Sequence, residues 1–91
     1  MTTIELDKED LWVLLLSTVR YSLGRQTYMT QYSIELVLKY SKYLDPKQLE
    51  QISKEIYEAI ARGIPDVAVW RDGALEIMLL AAKYAVEPPD L

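Results

Sequence analysis

The chain has no cysteine and no histidine. Without cysteine there is neither a disulfide framework nor a thiolate zinc site. Without histidine, the usual general base and the commonest metal ligand are missing. Those two gaps exclude most nucleophilic and metal-hydrolytic mechanisms. Phenylalanine is also absent, and only three glycines and four prolines punctuate 91 residues. Long, uninterrupted elements are therefore expected. No apolar run exceeds the six residues of Leu11 to Leu16, far short of the roughly 20 residues a membrane span needs. The acidic start (Glu5, Asp7, Glu9, Asp10) reverses the charge of a signal peptide, so a cytoplasmic protein without membrane contact is expected.

What is present describes one small globular domain. Apolar residues make up 51% and charged residues 26% of the chain, a globular rather than a disordered composition. The net charge of −4 is unevenly spread. Residues 11–54 carry +3, between ends of −3 and −4, a polarity that can steer a partner.

Helix signals divide the chain into four, an all-α single domain over residues 1–91. Asp7 is a good N-cap, with Glu9 and Asp10 in the first turn and Leu6 spaced to staple onto Leu11. This helix runs to Leu23 and stops at Gly24. Thr27 or Thr30 caps a second helix ending near Tyr43. Leu44-Asp45-Pro46-Lys47-Gln48-Leu49 is the cleanest start signal, with an N-cap aspartate, proline at N1 and glutamine at N3. Leu49, Ile52, Ile56 and Ile60 then line one narrow face of an amphipathic third helix, which Gly63 ends. Asp66 to Arg71 reads as either a short extended piece or one helical turn capped by Asp66. Asp72 is the expected cap of the last helix, which runs from Gly73 to about Ala85 and leaves 86–91 as a loose tail. The first and fourth helices are apolar around most of their circumference. Such helices lie at the centre of a core or are covered by a second chain; the first and fourth are expected to be central, and a symmetric homodimer is expected.

The candidate site is the junction Arg20-Tyr21-Ser22-Leu23-Gly24-Arg25-Gln26-Thr27-Tyr28. Five of the seven tyrosines (Tyr21, Tyr28, Tyr32, Tyr40, Tyr43) lie within 23 residues, shared with Arg20, Arg25, Lys39 and Lys42. Tyrosine suits half-buried positions and interfaces. Arginine stacks on such rings and forks onto carboxylates or phosphates. The plainer reading of Arg20 is a cation completing a helix C-terminus, and tyrosine can simply replace an over-exposed phenylalanine. Arg20, Tyr21, Arg25, Tyr28 and Tyr32 are the expected partner-binding residues. Interleaved bases and rings also suit single-stranded nucleic acid, but the overall acidity counts against it. A helix-turn-helix would place Arg25 and Gln26 in the turn rather than along a recognition helix. Glu55, Glu58, Asp66 and Asp72 show no metal motif, and Glu55 and Glu58 read as a solvated helix face. No cofactor and no catalysis are expected.

The run RYSLGRQTYM, set between two apolar stretches, resembles an RYALGRxTY pattern found in small proteins of Gram-positive phages and mobile elements. The later order of an isoleucine-spaced helix, Gly63, Asp66 and Trp70 fits too, so the resemblance covers about two-thirds of the chain. Ser22 stands where alanine is usual, and the Gly63-Ile64-Pro65-Asp66 loop differs. The resemblance implies a phage or mobile-element context and no known activity. The function expected is a non-enzymatic interaction module, an adaptor or an inhibitor of a host protein. The alternative is a nucleic-acid-associated regulator using segment 20–43.

Overall fold

A computed structural model describes residues 7–25 and 29–90. Four helices follow one another: α1 (Lys8–Ser22), α2 (Met29–Tyr40), α3 (Pro46–Arg62) and α4 (Val67–Val86), with a 3₁₀ turn, Ser41–Tyr43, after α2. Together they take up 83% of the described residues, which contain no strand. The all-α single domain expected from the sequence is the fold observed.

Most of the helix ends are set by local chemistry. The Asp7 side chain accepts from the Asp10 N–H at 2.8 Å, satisfying a donor that the helix leaves free. Leu6, the expected staple partner of Leu11, lies outside the described residues, as does Thr27. α1 ends where Gly24 turns left-handed (φ 86°), and α3 ends at Gly63 (φ 89°). At the start of α3, Pro46 occupies the first turn and the Gln48 side chain accepts from the Asp45 N–H at 3.0 Å. Leu44 and Leu49 are both buried there, in the positions of the staple.

α4 departs from the sequence reading. It begins at Val67, six residues before the expected start, and Asp72 lies inside it rather than capping it. Asp66 occupies the cap position in a left-handed conformation (φ 58°), which aspartate tolerates better than most residues. Its carboxylate takes the Thr30 hydroxyl at 3.1 Å. Thr30, read as a possible cap of its own helix, instead fastens the first turn of α2 to the start of α4. The early start puts Trp70 on the inner face, fully buried. It also puts Gly73 mid-helix, where a Cβ would lie 2.6–2.9 Å from three carbons of the Ile34 side chain. Only glycine lets α2 and α4 approach this closely.

The helices pack in the ring order α1, α2, α4, α3. α3 and α4 form the most extensive pair, cemented by Leu49, Ile52, Ile56, Ala59, Trp70, Ala74, Ile77 and Ala81, all solvent-free. The Ser53 hydroxyl donates to the Ala74 carbonyl across this pair at 2.8 Å. α4 also meets α2 and is central as expected. α1 is not central: it packs on α2 through Leu15, Leu16 and Val19 and touches α3 at few points. Its Val13 and Leu14 remain half exposed. The Cα trace spans 40 × 36 × 16 Å, room for two helix layers at the usual interaxial distance of about 8–10 Å. In so thin a body, each helix has an outward side that no neighbour covers.

Candidate functional site

The junction separates into a structural half and an exposed half. Arg20 turns toward α3 and grips Glu55 with two parallel hydrogen bonds, Nε to Oε1 at 2.7 Å and Nη2 to Oε2 at 3.0 Å. Gln51 adds a third bond to the same carboxylate at 3.3 Å. Glu55, read from the sequence as part of a solvated helix face, is instead paired across to α1 with its side chain only 20% exposed; Arg20, a candidate partner-binding residue, makes this pair while 55% of its own side chain stays exposed. The fork matches a carboxylate edge-on, and Arg20 has α3 within reach because α1 lies beside it. With the bridge from Lys8 to Asp45 (3.0 Å), it supplies both ion pairs found among the described residues. Both join α1 and α3, the side of the ring with the least packing.

The pairing governs how these groups titrate. The Arg20 hydrogen bonds hold the Glu55 carboxyl below its ordinary value, against a smaller opposing effect of burial. The same bonds raise Arg20, which stays charged throughout. Because the folded Glu55 is depressed, its contribution to stability is fully present above its unfolded value near 4.5 and is lost as the pH falls through the lower folded value. Glu55→Gln should therefore melt a few degrees below the wild type at neutral pH. That gap should close in acid, below the ordinary carboxylate range, in paired melts followed by circular dichroism. A gap of constant size would mean that the charge contributes nothing.

Behind Arg20, small hydroxyls join α1 to α2. Ser22 is solvent-free, donates to the Thr18 carbonyl at 2.8 Å and shares a short hydrogen bond with the equally buried Ser33. Ser22, which departs from the RYALGRxTY pattern, is therefore a packing residue joined to α2. Neither its partner nor Glu55 has a local signal, since they lie 11 and 35 residues away.

The exposed half is Tyr21, Arg25 and Tyr32. Arg25 Nε donates to the Tyr21 carbonyl at 2.8 Å, and its guanidinium lies 4.2 Å over the centre of the Tyr21 ring. Tyr21 is 59% and Tyr32 49% exposed. Tyr28 lies outside the described residues. Ser22 faces Ser33 across the antiparallel hairpin, which sets Tyr21 and Tyr32 at the same level near its closed end. Leading away from them, an apolar groove of about 250 Å³ runs between α1 and α2, lined by Leu11, Leu14, Leu15, Thr18, Leu36 and Tyr40. Leu14 stands seven residues before Tyr21, two helical turns along the same face.

The remaining basic and aromatic residues form a separate patch. Tyr40 and Tyr43 lie 6.4 Å apart, with Lys39 and Lys42 over their rings at 5.4 and 5.5 Å. This patch lies at the far end of α2, about 18 Å from the junction at 1.5 Å per residue. Segment 20–43 therefore holds two clusters near the two ends of α2, with Tyr40 of the second also lining the groove between α1 and α2. A hollow of about 700 Å³ beside Arg20 is lined by three bases (Arg20, Lys47, Lys54) and three acids (Glu50, Glu55, Glu58) together with Gln51. Its charges balance, so it favours neither phosphate nor cation. Among the described residues no cluster of three histidines, cysteines or acids could hold a metal, and no helix is long and apolar enough to cross a membrane. No family, curated protein or solved structure matches the chain.

Proposed function

We propose that this protein is a non-enzymatic protein–protein interaction module, an adaptor or inhibitor directed at a host protein by a phage or mobile element. The observation that carries this reading is the stacked Tyr21–Arg25 pair, outward-facing and bonded to its own backbone, about one helical turn beyond Thr18, the last α1 residue that lines the apolar groove. Tyrosine and arginine dominate interface hot spots. A pair already stacked surrenders little side-chain freedom on docking. The groove and half-exposed Leu14 offer apolar area, and the guanidinium edge offers donors for a carboxylate on the partner. Arg20 and Glu55, whose titration is displaced, account for each other, and neither is left free for proton transfer.

The alternative, a nucleic-acid regulator, would displace counterions, so its affinity would fall steeply with salt. Mobility shifts with single- and double-stranded DNA and RNA, from about 50 to 200 mM salt, separate the two. No binding is expected at the upper end. Micromolar binding there, abolished by Arg25→Ala, would overturn the interaction-module reading. In a parallel pull-down from the encoding organism, the wild type should retain a protein that Arg25→Ala and Tyr32→Ala lose.

A further inference from the structure

α4 carries two apolar seams on opposite sides. Trp70, Ala74, Ile77 and Ala81, spaced four, three and four apart, form the buried one. Leu75, Leu79, Ala82 and Val86 repeat that spacing on the other side, and all four are exposed: Leu75 51%, Leu79 62% and Val86 87%. A four-three spacing keeps residues on one line along a helix and is the pattern of a seam that packs on another helix. Here the line faces outward from a two-layer body. It lies on a different helix from Tyr21 and Arg25.

We propose that this outer face of α4 pairs with the same face of a second copy of the chain, antiparallel, about a two-fold axis between Leu79 and Ala82. In that register Leu75 of each copy lies opposite Val86 of the other, and Leu79 lies opposite Ala82. The polar flank selects the occupant and its direction. Glu76 and Lys83 stand seven residues apart beside the seam on the same flank, and neither makes an ion pair within the chain among the described residues. An antiparallel two-fold places each Glu76 beside the other copy's Lys83, so the surface complements itself twice, as an isologous interface must. A parallel pairing would instead set Asp72, the next residue on this line toward the helix start, against its own copy. In the antiparallel register Asp72 projects past the other helix's last turn. The contact covers about 16 Å of helix at 1.5 Å per residue, less than a standard interface. The dimer is therefore weak, with Kd on the order of 10–100 µM.

Sedimentation velocity from about 5 to 500 µM, a range that brackets that affinity, tests the pairing. The wild type should pass from monomer to dimer across it. Leu79→Glu, at a position already in solvent, should stay monomeric throughout with an unchanged circular dichroism spectrum. Glu76→Lys and Lys83→Glu should each raise Kd about tenfold, since each turns two attractions per dimer into repulsions. The double exchange of Glu76→Lys with Lys83→Glu should return Kd to within about threefold of the wild type. Should Leu79→Glu fail to fold, the charge series decides alone. A wild type that stays monomeric to 500 µM, whose seam would then belong to a different chain, would overturn the proposal. So would a dimer indifferent to Leu79→Glu, or one that the double exchange fails to restore.

Discussion

Trp70→Ala should cost about 3–5 kcal/mol, a large share of the roughly 5–14 kcal/mol expected for a domain of this size. Trp70 is the largest solvent-free side chain, set where α4 meets its neighbours. Removing it empties a space enclosed by helices that are tied on several sides. Trp70→Phe should behave quite differently. The indole Nε1–H is buried and has no hydrogen-bond partner among the described residues. An unpaired buried donor costs about 1–3 kcal/mol. Phenylalanine removes that cost while keeping most of the ring, so it should stay within about 1 kcal/mol of the wild type. Urea midpoints followed by far-UV circular dichroism, which reads the helices without needing Trp70, give both values. Equal losses in the two variants would show that the ring nitrogen is satisfied in solution.

Trp70 also marks where the sequence stops being sufficient. Asp7, Asp45, Gly24 and Gly63 act through neighbours three or four residues away, so their roles could be read directly from the chain. The start of α4 could not. Asp72-Gly73 is a strong local signal for a helix beginning, yet the helix passes straight through it. Extending the helix back to Val67 buries Trp70, lets Gly73 seat Ile34 and brings Asp66 to Thr30. Tertiary packing of that kind outweighs a capping preference of about 1 kcal/mol. The uniform apolarity of α1 was similarly ambiguous. It fits a central helix or one with an uncovered side, and only the ring order shows that α1 has Val13 and Leu14 facing out. At the junction, residue types alone could not divide the cluster. Arg20 and Arg25 look alike in sequence, and what separates them is that Glu55 lies within reach of one alone.

That division gives the sharpest test of the site. Leu15→Ala should destabilise by about 2–5 kcal/mol, toward the lower end of that range, because Leu15 borders an open groove where the void is partly relieved. Arg25→Ala should shift stability by less than about 0.5 kcal/mol. Among the described residues its side-chain bond and ring contact are both to Tyr21, four residues away and itself exposed, so no core residue hangs on it. The two variants should therefore part in opposite ways. Leu15→Ala lowers the urea midpoint and, as a residue that also lines the groove, weakens partner binding only in part wherever it remains folded. Arg25→Ala keeps the midpoint and loses the partner. An Arg25→Ala protein that melts as early as Leu15→Ala would make the stacked pair a clamp on the α1–α2 hairpin. The interaction surface would then have to be sought along the groove, at Leu11, Leu14 and Leu36, without the arginine.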